Sequence, residues 1–271
     1  MAKIESGRVK SRKNAPPVET TAQVPLKEQA GAPGVPTRMV GCFFGPPKTG
    51  KTTVACSGRN VLLLEFDPDG DATETLKGRE DIFVLRPDSY AAVQSIVKRL
   101  YTTDQGVFDW VVVDSITFLF QVLGGPDINE TYLANKDTRR PYGKAGAAVQ
   151  QIVHDLVLLP DTNVIFCAHL EKEFQEEGVS MDQELGETEV KLAVTPMVWK
   201  VLGPAVSFIG RTYKRTVYEK VGKTKKPVTK FFVSFNDGSR SPAGARYPIP
   251  AQVEITDSTL TELASSILGG A

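Results

Sequence analysis

The stretch that decides the fold reads Met39-Val40-Gly41-Cys42-Phe43-Phe44-Gly45-Pro46-Pro47-Lys48-Thr49-Gly50-Lys51-Thr52-Thr53. A nearly continuous apolar run, Met39 to Phe44, leads into G-x-x-x-x-G-K-T, and a helical pattern follows. That is the strand–loop–helix context in which this motif cradles phosphates. In a chain of average composition and this length the four fixed positions coincide by chance roughly once in a hundred, and the flanking context lowers that further. Gly45 and Gly50 let the backbone turn tightly enough to aim successive N–H groups at phosphate oxygens, and the helix starting near Gly50 is expected to add its positive dipole end. Lys51 places a charge on the β- and γ-phosphates, and the Thr52 hydroxyl is a ligand for Mg²⁺. Pro46, Pro47, Lys48, Thr49 and Thr53 complete the cradle. Lys48 is a second cation in the loop and reads on its own as a solvated lysine.

Working outward, the apolar runs Val61–Phe66, Ile82–Leu85, Trp110–Val113 and Val164–Cys167 have the composition of strands buried on both faces. Helical stripes separate them. Val93, Ile96, Val97 and Leu100 follow the capping sequence Pro87-Asp88-Ser89, and Val149, Ile152, Val153 and Leu156 follow Gly146. Strands alternating with helices predict an α/β fold with a mainly parallel, twisted sheet flanked by helices. The C-terminal third changes character. Val206–Tyr218 and Thr229–Phe235 are β-branched and aromatic, which predicts an antiparallel addition joined by a Lys-rich turn around Gly222. Thr259-Leu260-Thr261-Glu262 reads as a capping box for a last short helix.

Three carboxylates and one imidazole fall at the ends of three strands, where ligands collect in open α/β sheets. Asp114 ends the run Trp110–Val113 and is the second Mg²⁺ partner. Ser115 follows it, so the catalytic base must come from elsewhere. Glu65 and Asp67, in Leu64-Glu65-Phe66-Asp67, would point the same way by alternation, and spacing cannot choose between them. Asp67, further out toward the rim, is favoured as the group that activates water. His169, directly after Cys167-Ala168, is placed to touch the γ-phosphate.

The 271 residues carry equal numbers of basic and acidic side chains, 32 of each, yet the charges are segregated. Residues 1–37 are basic, rich in proline and without apolar periodicity, and are expected to form a flexible arm ahead of a domain spanning 38–271. Residues 211–230 carry eight basic side chains against Glu219 alone. Within them Arg211, Lys214, Arg215, Lys223, Lys225 and Lys226 interleave with Tyr213 and Tyr218, the composition of a single-stranded DNA surface. The acidic stretch from Glu171 to Glu189 reads as a mobile loop that would repel nucleic acid. No apolar run is long enough to span a bilayer, no secretory leader is visible, and Cys42, Cys56 and Cys167 all lie in apolar segments. A cytoplasmic protein with buried thiols and no membrane partner is expected.

These motifs resemble those of the RecA-like ATPases, specifically the phage-encoded AAA-like ATP-binding proteins associated with single-strand annealing and recombination. The resemblance covers roughly residues 38–250. It rests on the Gly45–Thr53 loop, the strand Leu62–Asp67, the block Val111-Val112-Val113-Asp114-Ser115, Tyr142-Gly143 ahead of a helix, and Ala168-His169-Leu170. It implies a RecA-like P-loop core that uses ATP and Mg²⁺. It also implies a ring or filament of identical subunits acting on single-stranded DNA, with a single-strand binding protein as a further partner and the host cytoplasm as its place. Asp67 then falls where the family has its water-activating glutamate, with Glu65 at the preceding aspartate. The shorter side chain departs from that pattern. The family tends to complete its site with a cation from the neighbouring subunit, for which Arg246 is the first candidate and Arg211 the second. A small-molecule kinase using Arg139, Arg140 and Lys144 around an acceptor, and a nucleotide-dependent assembly factor without a DNA role, are the alternatives.

Overall fold

A computed structural model of the chain describes residues 37–68, 71–134, 136–171, 191–221, 224–236 and 241–268. The basic N-terminal segment, Lys223 and nearly all of the acidic stretch after Glu171 lie outside the described residues.

The expected apolar runs become β1 (Val40–Gly45), β2 (Val61–Glu65), β3 (Ile82–Leu85), β4 (Trp110–Asp114) and β5 (Asn163–His169). They form the parallel part of a nine-stranded sheet of order β3-β2-β4-β5-β1, which continues through β6 (Phe208–Val221), β7 (Thr224–Ser234) and β9 (Gln252–Glu254); β8 (Gly244–Ala245) pairs with β6. β6 runs parallel to β1, and β7, β8 and β9 pair antiparallel, so the sheet is mixed in the way the sequence implied. The ends of β1, β2, β4 and β5, which carry the motifs, therefore point to one edge. β5 lies between the phosphate-loop strand β1 and the Asp114 strand β4.

Helices cover both faces. On one face α2 (Tyr90–Leu100), α3 (Ile116–Leu133), α4 (Arg139–Val157) and α5 (Pro196–Ala205) pack against Phe44, Leu64, Val113 and Phe166. On the other, α1 (Lys51–Ala55) and α6 (Thr259–Leu268) cover Phe43, Leu63, Val112 and Ile165. Each of these side chains is essentially inaccessible to water, and burying each contributes about 1.5–3 kcal/mol. The three cysteines are buried and free, and burial pushes the Cys42 thiol up to about 12. Ser89, Ser115 and Thr195 cap α2, α3 and α5 by accepting from the backbone N–H three residues on.

Several expectations are corrected. β3 is not buried on both faces: it is the edge strand, and Phe83, Val84 and Leu85 are exposed. Thr259 and Glu262 do not form the expected capping box. Thr259 opens α6, and it is Ser258 whose hydroxyl donates to Glu262, at 2.6 Å. Tyr142-Gly143 lies within α4 rather than ahead of it, because Thr138 stands at the N-cap and Pro141 falls in the first turn, where it costs no hydrogen bond. α3 and α5 have no clear signature in the sequence. Gly124-Gly125-Pro126 interrupts the first, and its apolar residues lie all round the helix, so no periodic stripe marks it. Gly124 is there for space: a Cβ on it would stand 2.2 Å from the Cβ of Ala145, where α3 and α4 cross.

Close approach also governs β1. A Cβ on Gly41 would lie 2.2 Å from Cζ of Phe208, a ring fully enclosed in the core. Gly41→Ala is expected to lower unfolding free energy by about 1–3 kcal/mol through overpacking. Chemical denaturation checks this, and an unchanged midpoint would show that the ring relaxes freely.

Candidate functional site: a phosphate loop at the sheet edge

The loop after β1 is shaped by its own side chains and by β6. Gly50 adopts φ +89° and Lys48 φ +61°, the left-handed values that reverse the chain twice in three residues. Thr49 is buried. Its hydroxyl donates to the Pro46 carbonyl at 2.8 Å and lies 2.7 Å from the hydroxyl of Thr212 on β6. Thr212 is wholly enclosed and also donates to the Phe44 carbonyl, at 3.3 Å. A Cβ on Gly45 would stand 2.4 Å from the Thr212 hydroxyl, so the first glycine of the motif is required by the neighbouring strand. Thr212 carried no signal in the sequence, because it belongs to no local motif. The helix that follows is only the five residues of α1. Backbone N–H groups of the loop, rather than a long helix dipole, are what this turn offers an anion.

Lys51 is 7% exposed, and its ammonium donates to the carbonyls of Gly45 at 3.1 Å and Pro46 at 2.9 Å. Burial lowers its pKa, and Asp114 and Asp67 oppose that shift. Thr52 donates to Oδ2 of Asp114 at 2.5 Å. Asp114 is buried, and burial raises its pKa against the hydrogen bond from Thr52 and the charge of Lys51. A hydroxyl and a carboxylate are hard oxygen donors of the kind Mg²⁺ takes, alongside phosphate and water oxygens. Among the described residues no group of three or more His, Cys, Asp or Glu forms a metal cage.

The two carboxylates after β2 are separated by depth. Glu65 is wholly enclosed and accepts from Nε of Arg86 at 2.6 Å. Asp67 lies past the end of the strand, half-buried, close enough to Lys51, Asp114 and His169 to act on the charge of each. His169 ends β5 in register with Gly45. Its ring stacks edge-on against Phe118, with centroids 5.3 Å apart, and its backbone N–H donates to the Thr117 hydroxyl at 3.1 Å. Burial and then Lys51 lower the His169 pKa, while Asp67 raises it. Lys51, Thr52, Asp67, Asp114 and His169 thus meet at one edge. Lys48 is exposed at the loop tip.

Arg246 is placed differently. It follows β8, which pairs with the first residues of β6, and so stands at the opposite edge of the sheet from the loop; its guanidinium donates to the Pro204 carbonyl. Arg211 is in register with Phe44, one residue before the loop. The antiparallel register of β6 and β7 divides the basic run between two faces. Lys214, Tyr218, Lys220 and Lys225 share a face with Thr212, on the side of the phosphate loop. Arg211, Arg215 and Lys226 occupy the other, where Lys230 is bound to Glu219 and Glu254. Tyr213 stacks on Phe232 and is committed to the sheet, whereas Tyr218 is 70% exposed.

Arg140 and Lys144 do come together, with Lys136, Glu130 and Thr131, around a cavity of about 400 Å³ where α3 meets α4. Glu130 stands about 20 Å along α3 from Ser115 at 1.5 Å per residue, too far for a phosphoryl group to pass directly from the loop.

The lowered pKa keeps His169 neutral at neutral pH, and its contribution to stability is present above the ordinary histidine value and lost as pH falls through the folded one. Lys51→Met is expected to move the His169 titration upward while leaving it below the ordinary value, since burial remains. Ring NMR measures this, and an unmoved midpoint would separate the two side chains.

No helix of the described residues is long and apolar enough to cross a membrane. A search of the curated proteins finds no match. Among solved structures the chain is similar to the RadB recombinase, at 17% identity and a TM-score of 0.45, over 82% of this chain and 89% of that one. The family described as an AAA domain matches residues 37–247, so the phosphate loop, the Asp114 strand and the mixed sheet described above are those of a chain that belongs to the AAA-domain family.

Proposed function

We propose that the protein is an ATPase that couples ATP binding and hydrolysis to work on single-stranded DNA. The observation that carries the nucleotide half of this reading is the buried Lys51 ammonium, held by two loop carbonyls beside the Thr52–Asp114 pair. A cation this deep is favourable where an anion of high charge sits against it, and a triphosphate tail on the loop N–H groups supplies that charge.

Thr52 and Asp114 hold Mg²⁺, which when bound neutralises charge on the β- and γ-phosphates. Lys51 binds the same phosphates. Asp67 orients a water molecule toward the γ-phosphorus and accepts its proton. The new P–O bond forms as the bond to the β-phosphate oxygen breaks, which leaves ADP and inorganic phosphate. Neutral His169, between the loop and Asp67, donates a ring N–H to the γ-phosphate and loses that partner on hydrolysis. Its backbone N–H is tied to Thr117 in α3, so that loss is felt in a helix leading away from the site.

The DNA half rests on the β6–β7 hairpin. Its outer part, from about Lys214 to Lys230, extends past the residues that pair with β1 and β9. Lys214, Lys220 and Lys225 bind phosphates there and Tyr218 stacks on a base, on the face that continues from the loop. The subunits act as an oligomer, with Arg246 or Arg211 reaching a neighbour's nucleotide.

Lys51→Ala is expected to abolish nucleotide binding, whereas Asp67→Asn keeps binding and loses hydrolysis by about 10²- to 10⁴-fold. Calorimetry beside a phosphate-release assay checks both. Single-stranded DNA should stimulate wild-type hydrolysis. Stimulation by a metabolite acceptor instead would indicate a kinase, and a response to neither an assembly factor. Replacing Lys214, Lys220 and Lys225 together by Ala should weaken DNA binding and flatten the slope of log K against log[salt] by about 2. An unchanged slope would remove the hairpin from the DNA surface.

A further inference from the structure

We infer that Glu65 belongs to the metal site as a carboxylate that anchors water in the Mg²⁺ shell, and that Arg86 is the positioning residue that holds it there. The inference rests on the nucleotide–Mg²⁺ reading given above and assigns a role to a side chain which that reading leaves unused.

Glu65 is the last residue of β2 and lies in register with Asp114, the last residue of β4, on the neighbouring strand. Alternation sends both toward α1, because Leu63 and Val112, two residues earlier on each strand, belong to the core on that face. The Glu65 side chain has no exposed surface. One carboxylate oxygen, Oε2, accepts from Arg86 Nε at 2.6 Å. The other, Oε1, is buried and has no hydrogen-bond partner among the described residues. Such an oxygen is costly unless a donor meets it, and each buried exception requires a cause.

Two donors on this face are turned elsewhere. The Lys51 ammonium is on the carbonyls of Gly45 and Pro46, and the Thr52 hydroxyl is on Asp114. Mg²⁺ dehydrates reluctantly and keeps several waters, each a strong donor that must be received by an acceptor. Asp114 can take only part of that shell. Glu65 Oε1, level with Asp114 on the adjacent strand, supplies a further acceptor.

Arg86 explains how a second carboxylate is tolerated so close to the first. It follows β3 directly, and with Leu64 paired to Leu85 it stands across from Glu65. Its guanidinium compensates the buried charge and fixes the rotamer, and among the described residues it leaves Oε1 without a donor. The same pairing takes Glu65 out of competition for the proton of the attacking water, a role that stays with Asp67.

The test uses the full chain and a slowly hydrolysed ATP analogue whose binding is followed calorimetrically as Mg²⁺ is titrated, beside a series in EDTA. Glu65→Gln keeps the volume and an acceptor for Arg86 but puts an N–H donor where Oε1 was. The Mg²⁺ concentration for half-maximal binding is expected to rise about tenfold, with affinity in EDTA unchanged. Arg86→Ala should move the midpoint in the same direction and Arg86→Lys should recover part of the shift. With Mn²⁺ in place of Mg²⁺, the electron-paramagnetic signal of the bound ion should change in Glu65→Gln and Arg86→Ala alike. A wild-type midpoint and signal in a folded Glu65→Gln protein would overturn the inference. If that variant does not fold, a wild-type midpoint in Arg86→Ala would do the same. Absence of any nucleotide binding by the wild type would instead overturn the underlying reading, so the two failures are told apart.

Discussion

The structure is organised around one buried charge. Lys51 could not be kept cationic in an apolar interior, so the chain surrounds its ammonium with the carbonyls of Gly45 and Pro46 and with the carboxylates of Asp114 and Asp67. Each of those groups is delivered by a different part of the fold: the end of β1, the loop itself, the end of β4 and the segment after β2. The parallel order of the sheet brings these ends to a single edge. Thr212 on β6 then locks the loop from the side, so the C-terminal strands are part of the site's scaffold as well as an appendage.

Depth gives the carboxylates the different environments on which their proposed roles rest. Asp114 and Glu65 stand level on adjacent strands and are both enclosed, one facing a hydroxyl and the other a guanidinium. Asp67, past the strand end, keeps contact with solvent and with the electrostatic reach of Lys51 and His169. Three acids within one small region thus have three environments, and environment is what separates a metal-holding carboxylate from one that takes a proton. His169 is kept neutral first by burial and then by the charge of Lys51, with Asp67 opposing both.

What was legible in the sequence was local. The run Gly45 to Thr52 announces its turn, its cation and its hydroxyl within eight residues, and the apolar runs before Glu65, Asp114 and His169 locate the sheet edge. What was not legible depended on partners distant in sequence. Nothing near Thr212 shows that it will sit against Gly45, and nothing near Glu65 shows that Arg86 will pair with it across two strands. The edge position of β3 is a fact of strand order, which its apolar composition conceals. The basic run was visible as a composition, but its division into two faces follows only from the β6–β7 register. The packing of Gly124 against Ala145 turned an apparent helix breaker into a contact that helix α3 requires.

Polyphosphate binding through the charge of the loop is tested most directly by a calorimetric comparison of ATP, ADP and AMP with Mg²⁺ present. The account predicts one site per chain, with affinity falling steeply at each phosphate removed and AMP binding at least a hundredfold weaker than ATP, about 2.7 kcal/mol. Equal affinity for AMP and ATP would contradict it, because the Lys51 ammonium and the loop N–H groups would then contribute nothing to recognition.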